Sequence, residues 1–151
     1  MTYSVNFANY TIGEDAYQNV REVCRHYGKK ALLISGELAL KAGKEKLIQA
    51  LASEIQIVDT VLFGTDCTYA RMEELAEHAK KCGADMIFGM GGGKALDTAK
   101  GTAEKAGLPV FTFPTIAATC AATTALSVVY KEDGNFDSFY FYDKLVPRSV
   151  S

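Results

Sequence analysis

Short apolar runs alternate along the chain with longer stretches in which apolar residues recur every three or four positions. Runs of the first kind are typical of strands buried on both faces, and stretches of the second kind are typical of amphipathic helices. The pattern predicts a strand followed by a helix about three times over, which favours a parallel sheet with right-handed crossovers. The predicted strands are 30–35, 55–63, 86–88 and 109–113, and the predicted helices are 14–27, 38–52, 68–82 and 93–106.

The pattern changes after residue 113. Two β-rich runs, 126–130 and 136–142, flank Glu132-Asp133-Gly134-Asn135, which is a hairpin signal. Residues 3–10 have a weaker extended pattern, and we interpret them as a short arm. The chain therefore predicts an α/β fold, a Rossmann-like parallel sheet flanked by helices, with a β-hairpin near the C-terminus.

Four glycines stand in five positions between the strand at 86–88 and the helix at 93–106, namely Gly89 and Gly91–Gly93. Such a turn brings backbone N–H groups and the positive end of a helix close to an anion, so it predicts a phosphate cradle. The alternative is an ordinary tight turn. Standard motifs do not name the ligand. A P-loop needs Gly six residues before its Lys and Ser or Thr directly after it, and Phe88 and Ala95 occupy these positions, which argues against a P-loop. The dinucleotide-binding pattern Gly-x-Gly-x-x-Gly has Lys94 in place of its third glycine.

Ligands of parallel α/β sheets lie beyond the carboxyl ends of the strands. Gly36, Gly64–Asp66, Gly89–Lys94 and Pro114–Cys120 fall on that edge, and Thr123 and Thr124 add further hydroxyls to it. Threonine hydroxyls there either bind ribose, pyrophosphate or substrate, or pack a tight loop. Lys94 either reaches a phosphate or is solvated. Asp97 either contacts the nicotinamide side of a cofactor or caps N–H groups of the first helical turn.

Composition narrows the class of protein. The 151 residues, 48% hydrophobic and 23% charged, suffice for one domain with a core, and the net charge of −2 argues against nucleic acid or an anionic membrane as partner. No apolar run approaches a membrane span and no signal peptide is visible, so we expect a cytoplasmic protein with reduced thiols. His26 and His78 are expected at the surface, and the sequence predicts no metal site and no carboxylate–histidine cluster.

Two long segments resemble signatures of one family. Gly-Met-Gly-Gly-Gly-Lys-Ala-Leu-Asp-Thr-Ala-Lys at 89–100 resembles the cofactor motif of the iron-containing alcohol dehydrogenase superfamily, in its glycerol dehydrogenase branch. Residues 113–120, followed by 125–130, are similar to a second signature of that branch, and residues 133–136 and 140–142 continue it. The resemblance implies a dehydroquinate synthase-like N-terminal domain and hydride transfer between a nicotinamide cofactor and a small alcohol, polyol or hydroxy acid.

The resemblance also implies which residues touch the cofactor. Positions matching the pyrophosphate and nicotinamide contacts, and positions lining the adenine, ribose or nicotinamide pocket, are Gly92, Gly93, Lys94, Asp97, Thr115, Ala118, Thr124, Leu126 and Tyr130.

Two positions depart from the family pattern. Cys120 replaces a glycerol-contacting aspartate, and its surroundings, Ala-Ala-Thr-Cys-Ala-Ala, resemble the hydroxycarboxylate dehydrogenase subgroup, which handles 2-oxo acids. Without a histidine nearby, Cys120 is interpreted as a substrate-proximal packing residue and not as a nucleophile. Gly36 replaces the aspartate that binds the cofactor 2′-hydroxyl, which makes NADP possible, whereas neighbouring Glu37 favours NAD.

Family members are more than twice as long, and their divalent metal (Zn or Fe) is held in a helical second domain. We therefore expect residues 1–143 to be an NAD(P)-binding domain that is inactive alone and that belongs to a possible homo-oligomer. Residues 144–151 leave the family's strand pattern, and Leu-Val-Pro-Arg resembles a thrombin site, so we interpret this tail as truncated or introduced. The alternatives are a fragment of a dehydroquinate synthase-like lyase and a stand-alone nucleotide-binding module.

Overall fold

A computed structural model of the chain describes residues 10–11, 24–51, 54–115, 126–142 and 148–150. Strands and helices alternate through most of this range, which confirms the predicted α/β fold class. The strands are β1 (Tyr10–Thr11), β2 (Lys30–Ser35), β3 (Gln56–Leu62), β4 (Met86–Gly91), β5 (Val110–Pro114), β6 (Leu126–Tyr130), β7 (Phe136–Phe141) and β8 (Arg148–Val150), and the helices are α1 (Glu37–Leu51), α2 (Tyr69–Cys82) and α3 (Gly93–Ala106).

Six strands form one parallel sheet in the order β1-β8-β5-β4-β2-β3. From β2 the chain passes through α1 to β3 on one side, and from β4 it passes through α3 to β5 on the other side. Since β2 and β4 are neighbours, the connections leave them in opposite directions, and a crevice opens at their carboxyl ends. Strands β6 and β7 pair separately as the predicted antiparallel hairpin.

The central strand β4 is buried at all six positions. On one face of the sheet, Phe88 packs edge-to-face against Phe111 and Phe113. On the other face, a cluster that includes Ile87, Ala99 and Ala103 fills the space beneath α2 and α3. A Cβ added at Gly89 would lie 2.5 Å from the Cβ of Ala99, so α3 lies directly on β4 and holds the end of this strand in place.

Helix α2 begins and ends where its sequence signals lie. The Thr68 side chain accepts a hydrogen bond from the N–H of Arg71, and Gly83 ends the helix in the left-handed conformation. Its buried residues are the predicted apolar stripe, Met72, Leu75, Ala76 and Ala79.

Three regions differ from the sequence prediction or lie outside the structure. Strand β4 continues through the glycines to Gly91, because its ladder with β5 runs on to Pro114. The tail was expected to leave the strand pattern, but Arg148–Val150 pairs in parallel with both β5 and β1. Three residues without an apolar run give no strand signal, which explains the error. Most of the predicted arm at 3–10 and helix at 14–27 lies outside the described residues.

Within the described ranges, no helix combines the length and the apolar character that crossing a bilayer requires.

Candidate functional site at the carboxyl end of the parallel sheet

The turn from β4 into α3 is built for close backbone approach. Gly91 has a φ of +138°, and a Cβ there would lie 3.0 Å from the Cβ of Ala95, so this position requires glycine. Gly92 is the N-cap of α3 with φ −88° and ψ −168°, and as a glycine it provides no side-chain cap to the first helical turn. An N-terminus without a side-chain cap, at the positive end of the helix dipole, is suited to bind an anion.

The turn from β2 into α1 forms the facing wall. The N–H of Gly36 donates to the carbonyl of Met90 at 3.1 Å, which places the two turns side by side. Among the described residues, a Cβ added at Gly36 would contact only the ring of Phe63, at 3.8 Å. Between the walls is a cleft of about 510 Å³, here called the glycine cleft, which is lined by Gly36, Glu37, Leu38, Ala39, Phe63, Gly91, Gly92, Gly93, Lys94, Ala95 and Thr115.

Lys94 supplies a positive charge beside the glycine cleft. Its Nζ donates to Oδ1 of Asp66 at 2.6 Å and lies 4.9 Å from the ring centre of Tyr130. The hydrogen bond to Asp66 raises the pKa of Lys94, so the ammonium is fully charged at neutral pH. The side chain is 49% exposed and is therefore held in place while remaining open to a ligand. The sequence analysis had placed Asp66 on this edge without pairing it to Lys94.

Asp97 faces the hairpin. Its Oδ2 accepts the backbone N–H of Val128 at 3.0 Å, and its Oδ1 lies 3.1 Å from Nζ of Lys100. Lys100 is completely buried and also donates to the carbonyl of Leu126 at 2.8 Å. Burial raises the pKa of Asp97, and the ammonium of Lys100 opposes this shift. The structure thus shows a buried ion pair joining α3 to β6.

The remaining predicted site residues fall into two groups. Thr115 lies at the end of β5, where its N–H donates to the carbonyl of Gly91 at 3.1 Å. Leu126 and Tyr130 are half-buried at the two ends of β6. The structure therefore brings Gly36, Gly92, Gly93, Lys94 and Thr115 to one cleft, with Tyr130 against Lys94. The predicted residues Ala118, Cys120 and Thr124 lie outside the described residues.

Sequence reasoning missed two groups of residues. It gave no role to Lys100, although the spacing from Asp97 is that of a pair on one helix face. It also predicted no carboxylate–histidine cluster, and this was wrong: Oδ2 of Asp59 lies 2.6 Å from Nε2 of His78, with Sγ of Cys82 3.4 Å from the same nitrogen. His78 and Cys82 share a helix face by spacing, but only the fold brings the strand β3 beside them.

A parallel sheet with a glycine-rich strand-to-helix turn at its switch point is the architecture of Rossmann-like α/β domains. The family model of the iron-containing alcohol dehydrogenases matches residues 8–150. The chain belongs to this family, as its two motifs indicated.

The relatives place the match on the N-terminal part of longer enzymes. Glycerol dehydrogenase of Pseudomonas putida is 35% identical over 86% of this chain and 36% of its own length. Hydroxycarboxylate dehydrogenase A of Escherichia coli is 38% identical over 76% of this chain and 31% of its own length. The crystal structure of glycerol dehydrogenase from Schizosaccharomyces pombe superimposes with a TM-score of 0.81 at 27% identity, over 99% of this chain and 38% of that one. The chain thus spans about a third of the length of these relatives.

Proposed function

We propose that this chain is the cofactor-binding part of a metal-dependent, NAD(P)-linked dehydrogenase acting on a small alcohol or a 2-hydroxy acid. The observation that carries the proposal is the glycine cleft, in which an N-terminus without a side-chain cap faces a second glycine turn across about 510 Å³. Family membership supports the reaction class, since the named relatives are dehydrogenases of glycerol and of hydroxycarboxylates.

The cleft residues fit a dinucleotide in size, charge and backbone geometry. The pyrophosphate would lie against the N–H groups at the start of α3, where Gly92 and Gly93 leave room for it. The ammonium of Lys94, anchored by Asp66, would add a charge-assisted contact. The ribose of the adenosine half would lie beside Gly36, on the opposite wall. When bound, the nicotinamide supplies hydride exchange with the substrate carbon.

The polar residues around Tyr130 have a positioning role in this proposal. The Asp97–Lys100 pair fixes β6 against α3, and this holds the ring of Tyr130 over Lys94 at the mouth of the glycine cleft. The proposal keeps Ala118, Thr124 and Leu126 as cofactor contacts and Cys120 as a substrate-proximal residue. Asp97, which was predicted as a cofactor contact, is buried against the hairpin and does not line the glycine cleft, so in this proposal it acts through β6. Among the described residues that line the cleft there is no His, Cys or Asp, so no step of the proposal runs through a metal held by them.

The substrate class follows from Cys120, which stands where glycerol-handling members of the family have a carboxylate. A thiol is a weak hydrogen-bonding partner for a polyol, so a 2-hydroxy acid is favoured over glycerol. The sequence analysis ended the cofactor domain at residue 143, but β8 lies between β1 and β5 in the sheet, so we propose that the domain extends through Val150. We propose further that catalysis needs the second domain of the longer relatives.

Calorimetric titration of this chain with NADH, and separately with NADPH, tests the proposal. We expect saturable 1:1 binding of at least one of them, and loss of that binding in Gly92→Val. The backbone of Gly92 is extended with a negative φ, so an L side chain there causes no backbone strain, and valine would take up the space proposed for the phosphate.

Ala70→Val is the matched control, because it adds the same side chain at an exposed position in the first turn of α2, away from the cleft. The control should bind with unchanged affinity, and circular dichroism should show both variants folded. Equal binding by Gly92→Val and the unaltered chain would contradict the phosphate position, and failure of the unaltered chain to bind either nucleotide would contradict the proposal.

A further inference from the structure

Three potential metal ligands converge at the edge of the sheet, on residues that do not line the glycine cleft. Oδ2 of Asp59, Nε2 of His78 and Sγ of Cys82 all lie within 4.8 Å of one another. The cleft beside them is lined by Asp59, Val61, Arg71, Glu74, Leu75, Glu77, His78 and Lys81, none of which belongs to the glycine cleft.

The geometry of the cluster is convergent and does not form a proton relay. A cysteine–histidine–carboxylate relay uses opposite nitrogens of the imidazole, one for the thiol and one for the carboxylate. Here the carboxylate and the thiol both approach Nε2 of His78, at 2.6 Å and 3.4 Å. One nitrogen cannot serve as the two ends of a relay, whereas a single cation can accept lone pairs from all three atoms.

The fold positions each ligand independently. His78 and Cys82 are four residues apart in the last two turns of α2, so their side chains lie on one face of the helix. Asp59 comes from the neighbouring strand β3, and the N–H of Thr60 donates to its Oδ1 at 2.8 Å, which leaves Oδ2 directed at His78. The hydrogen bond from His78 is the main cause of a lowered pKa at Asp59, so this carboxylate is ionised at neutral pH.

The cluster is accessible from solvent. The side chains of His78 and Asp59 are 37% and 42% exposed, and Cys82 is partly exposed. Glu74 and Glu77 line the same cleft as the cations Arg71 and Lys81, so the surrounding charges balance in number. Arg71 is already engaged, because its guanidinium donates to the carbonyls of Leu62 and Phe63 and to Glu74.

We propose that Asp59, His78 and Cys82 form a site for Zn²⁺, with the fourth tetrahedral position open to water. Thiolate, imidazole and carboxylate together are ligands of zinc and of similar transition metals, whereas Mg²⁺ and Ca²⁺ select oxygen ligands. Tetrahedral zinc bonds place neighbouring ligand atoms about 3.4–3.6 Å apart. The sulfur–nitrogen distance of 3.4 Å already fits, and the nitrogen–oxygen distance must widen by less than 1 Å from its hydrogen-bonded 2.6 Å.

Metal binding at this site would connect the edge strand β3 to the end of α2. Zinc binds cysteine as the thiolate and histidine through a lone pair of the neutral ring, so zinc binding at such a site depends on pH. The site is separate from the metal that the longer family members hold in their second domain, and it is independent of the dehydrogenase proposal.

Titration of the reduced, metal-free chain with Co²⁺, followed by displacement with Zn²⁺, tests the site. We expect 1:1 binding with a sulfur-to-cobalt charge-transfer band and the visible bands of tetrahedral cobalt. Cys82→Ser should remove the charge-transfer band, and His78→Gln and Asp59→Asn should each weaken zinc binding by about tenfold or more. Zinc should also raise the melting temperature of the unaltered chain, and that rise should be absent in Cys82→Ser.

His26→Gln is the matched control, because His26 is exposed and lies outside the cluster. Cys24 and Cys67 are buried, and burial raises the pKa of the Cys67 thiol to about 12, so Cys67 does not compete as a thiolate. The control should keep the spectrum and the affinity of the unaltered chain. Absence of saturable binding, or a cobalt spectrum and zinc affinity that survive in all three ligand variants, would overturn the proposal.

Discussion

Helices α2 and α3 have the same length of 14 residues and pack against each other, but their N-termini differ. At α2, the side chain of Thr68 accepts the N–H of Arg71 at 3.1 Å. At α3, Gly92 offers no side chain. Both helices end alike, at a left-handed glycine, Gly83 or Gly107. Of these two helix starts, the one without a capping side chain is the one that lines the glycine cleft, where a bound phosphate can take the place of the cap.

The two helices also differ in what covers them. Helix α2 buries one apolar stripe and leaves its other side to solvent, whereas α3 has ten buried residues, among them charged Asp97, Lys100 and Glu104. The hairpin β6–β7 explains the difference, because it lies on the side of α3 that faces away from the sheet: Ser127 Oγ donates to the carbonyl of Asp97 at 2.6 Å.

Removing one charge of the buried Asp97–Lys100 ion pair should have the largest effect on the free energy of unfolding. Lys100→Met leaves the carboxylate of Asp97 buried beside the hairpin without its cation, and we expect a loss of about 3–5 kcal/mol in the free energy of unfolding. Urea denaturation of the variant and of the unaltered chain measures this loss of stability. The matched control on α2 is Lys80→Met, an exposed lysine, which should change stability by less than about 0.5 kcal/mol.

The double variant Asp97→Asn with Lys100→Met separates charge from packing. Removing both charges should restore part of the stability that Lys100→Met alone loses, since no unpaired charge remains. A double variant less stable than Lys100→Met would show that the hydrogen bonds of Asp97, and not its charge, stabilise the hairpin.

A substitution at Gly36, in the turn opposite the start of α3, should have a smaller effect, which concerns the choice between NADPH and NADH. Gly36→Asp places a carboxylate where there is room beside Phe63, and it should repel a 2′-phosphate. We expect the ratio of NADPH affinity to NADH affinity to fall about tenfold, or about 1.4 kcal/mol. Gly36→Asn has nearly the same shape without the charge and should leave the ratio close to that of the unaltered chain. An equal fall in both variants would assign the effect to shape.

Removing the side-chain cap of α2, or adding one to α3, should have the smallest effects on stability. Thr68→Ala removes the cap of α2 and should cost about 1 kcal/mol, with cofactor affinity unchanged. Gly92→Ser adds a capping hydroxyl to α3 and should change stability by only a few tenths of a kcal/mol. Its affinity for the nucleotide should nevertheless fall, because the hydroxyl competes with phosphate for the same N–H groups. Denaturation and calorimetry of both variants compare the two sites directly.

Local signals in the sequence predicted most of the elements and the main wall of the glycine cleft. The helix Gly93–Ala106 was predicted with its observed bounds, because glycines mark both of its ends. The contacts that cross between elements could not be predicted in this way. The pairing of Lys94 with Asp66 and the approach of Asp59 to His78 depend on how neighbouring strands are aligned, and no spacing within one segment encodes that alignment.

The strand order also has a consequence for how the chain folds during synthesis. Tyr10 and Thr11 pair with Ser149 and Val150, so the first described strand pairs with the last described strand. Pairs so distant in sequence form slowly and raise the contact order of the domain. The central strands can assemble while translation continues, but β1 must wait, with its backbone unpaired, until β8 emerges.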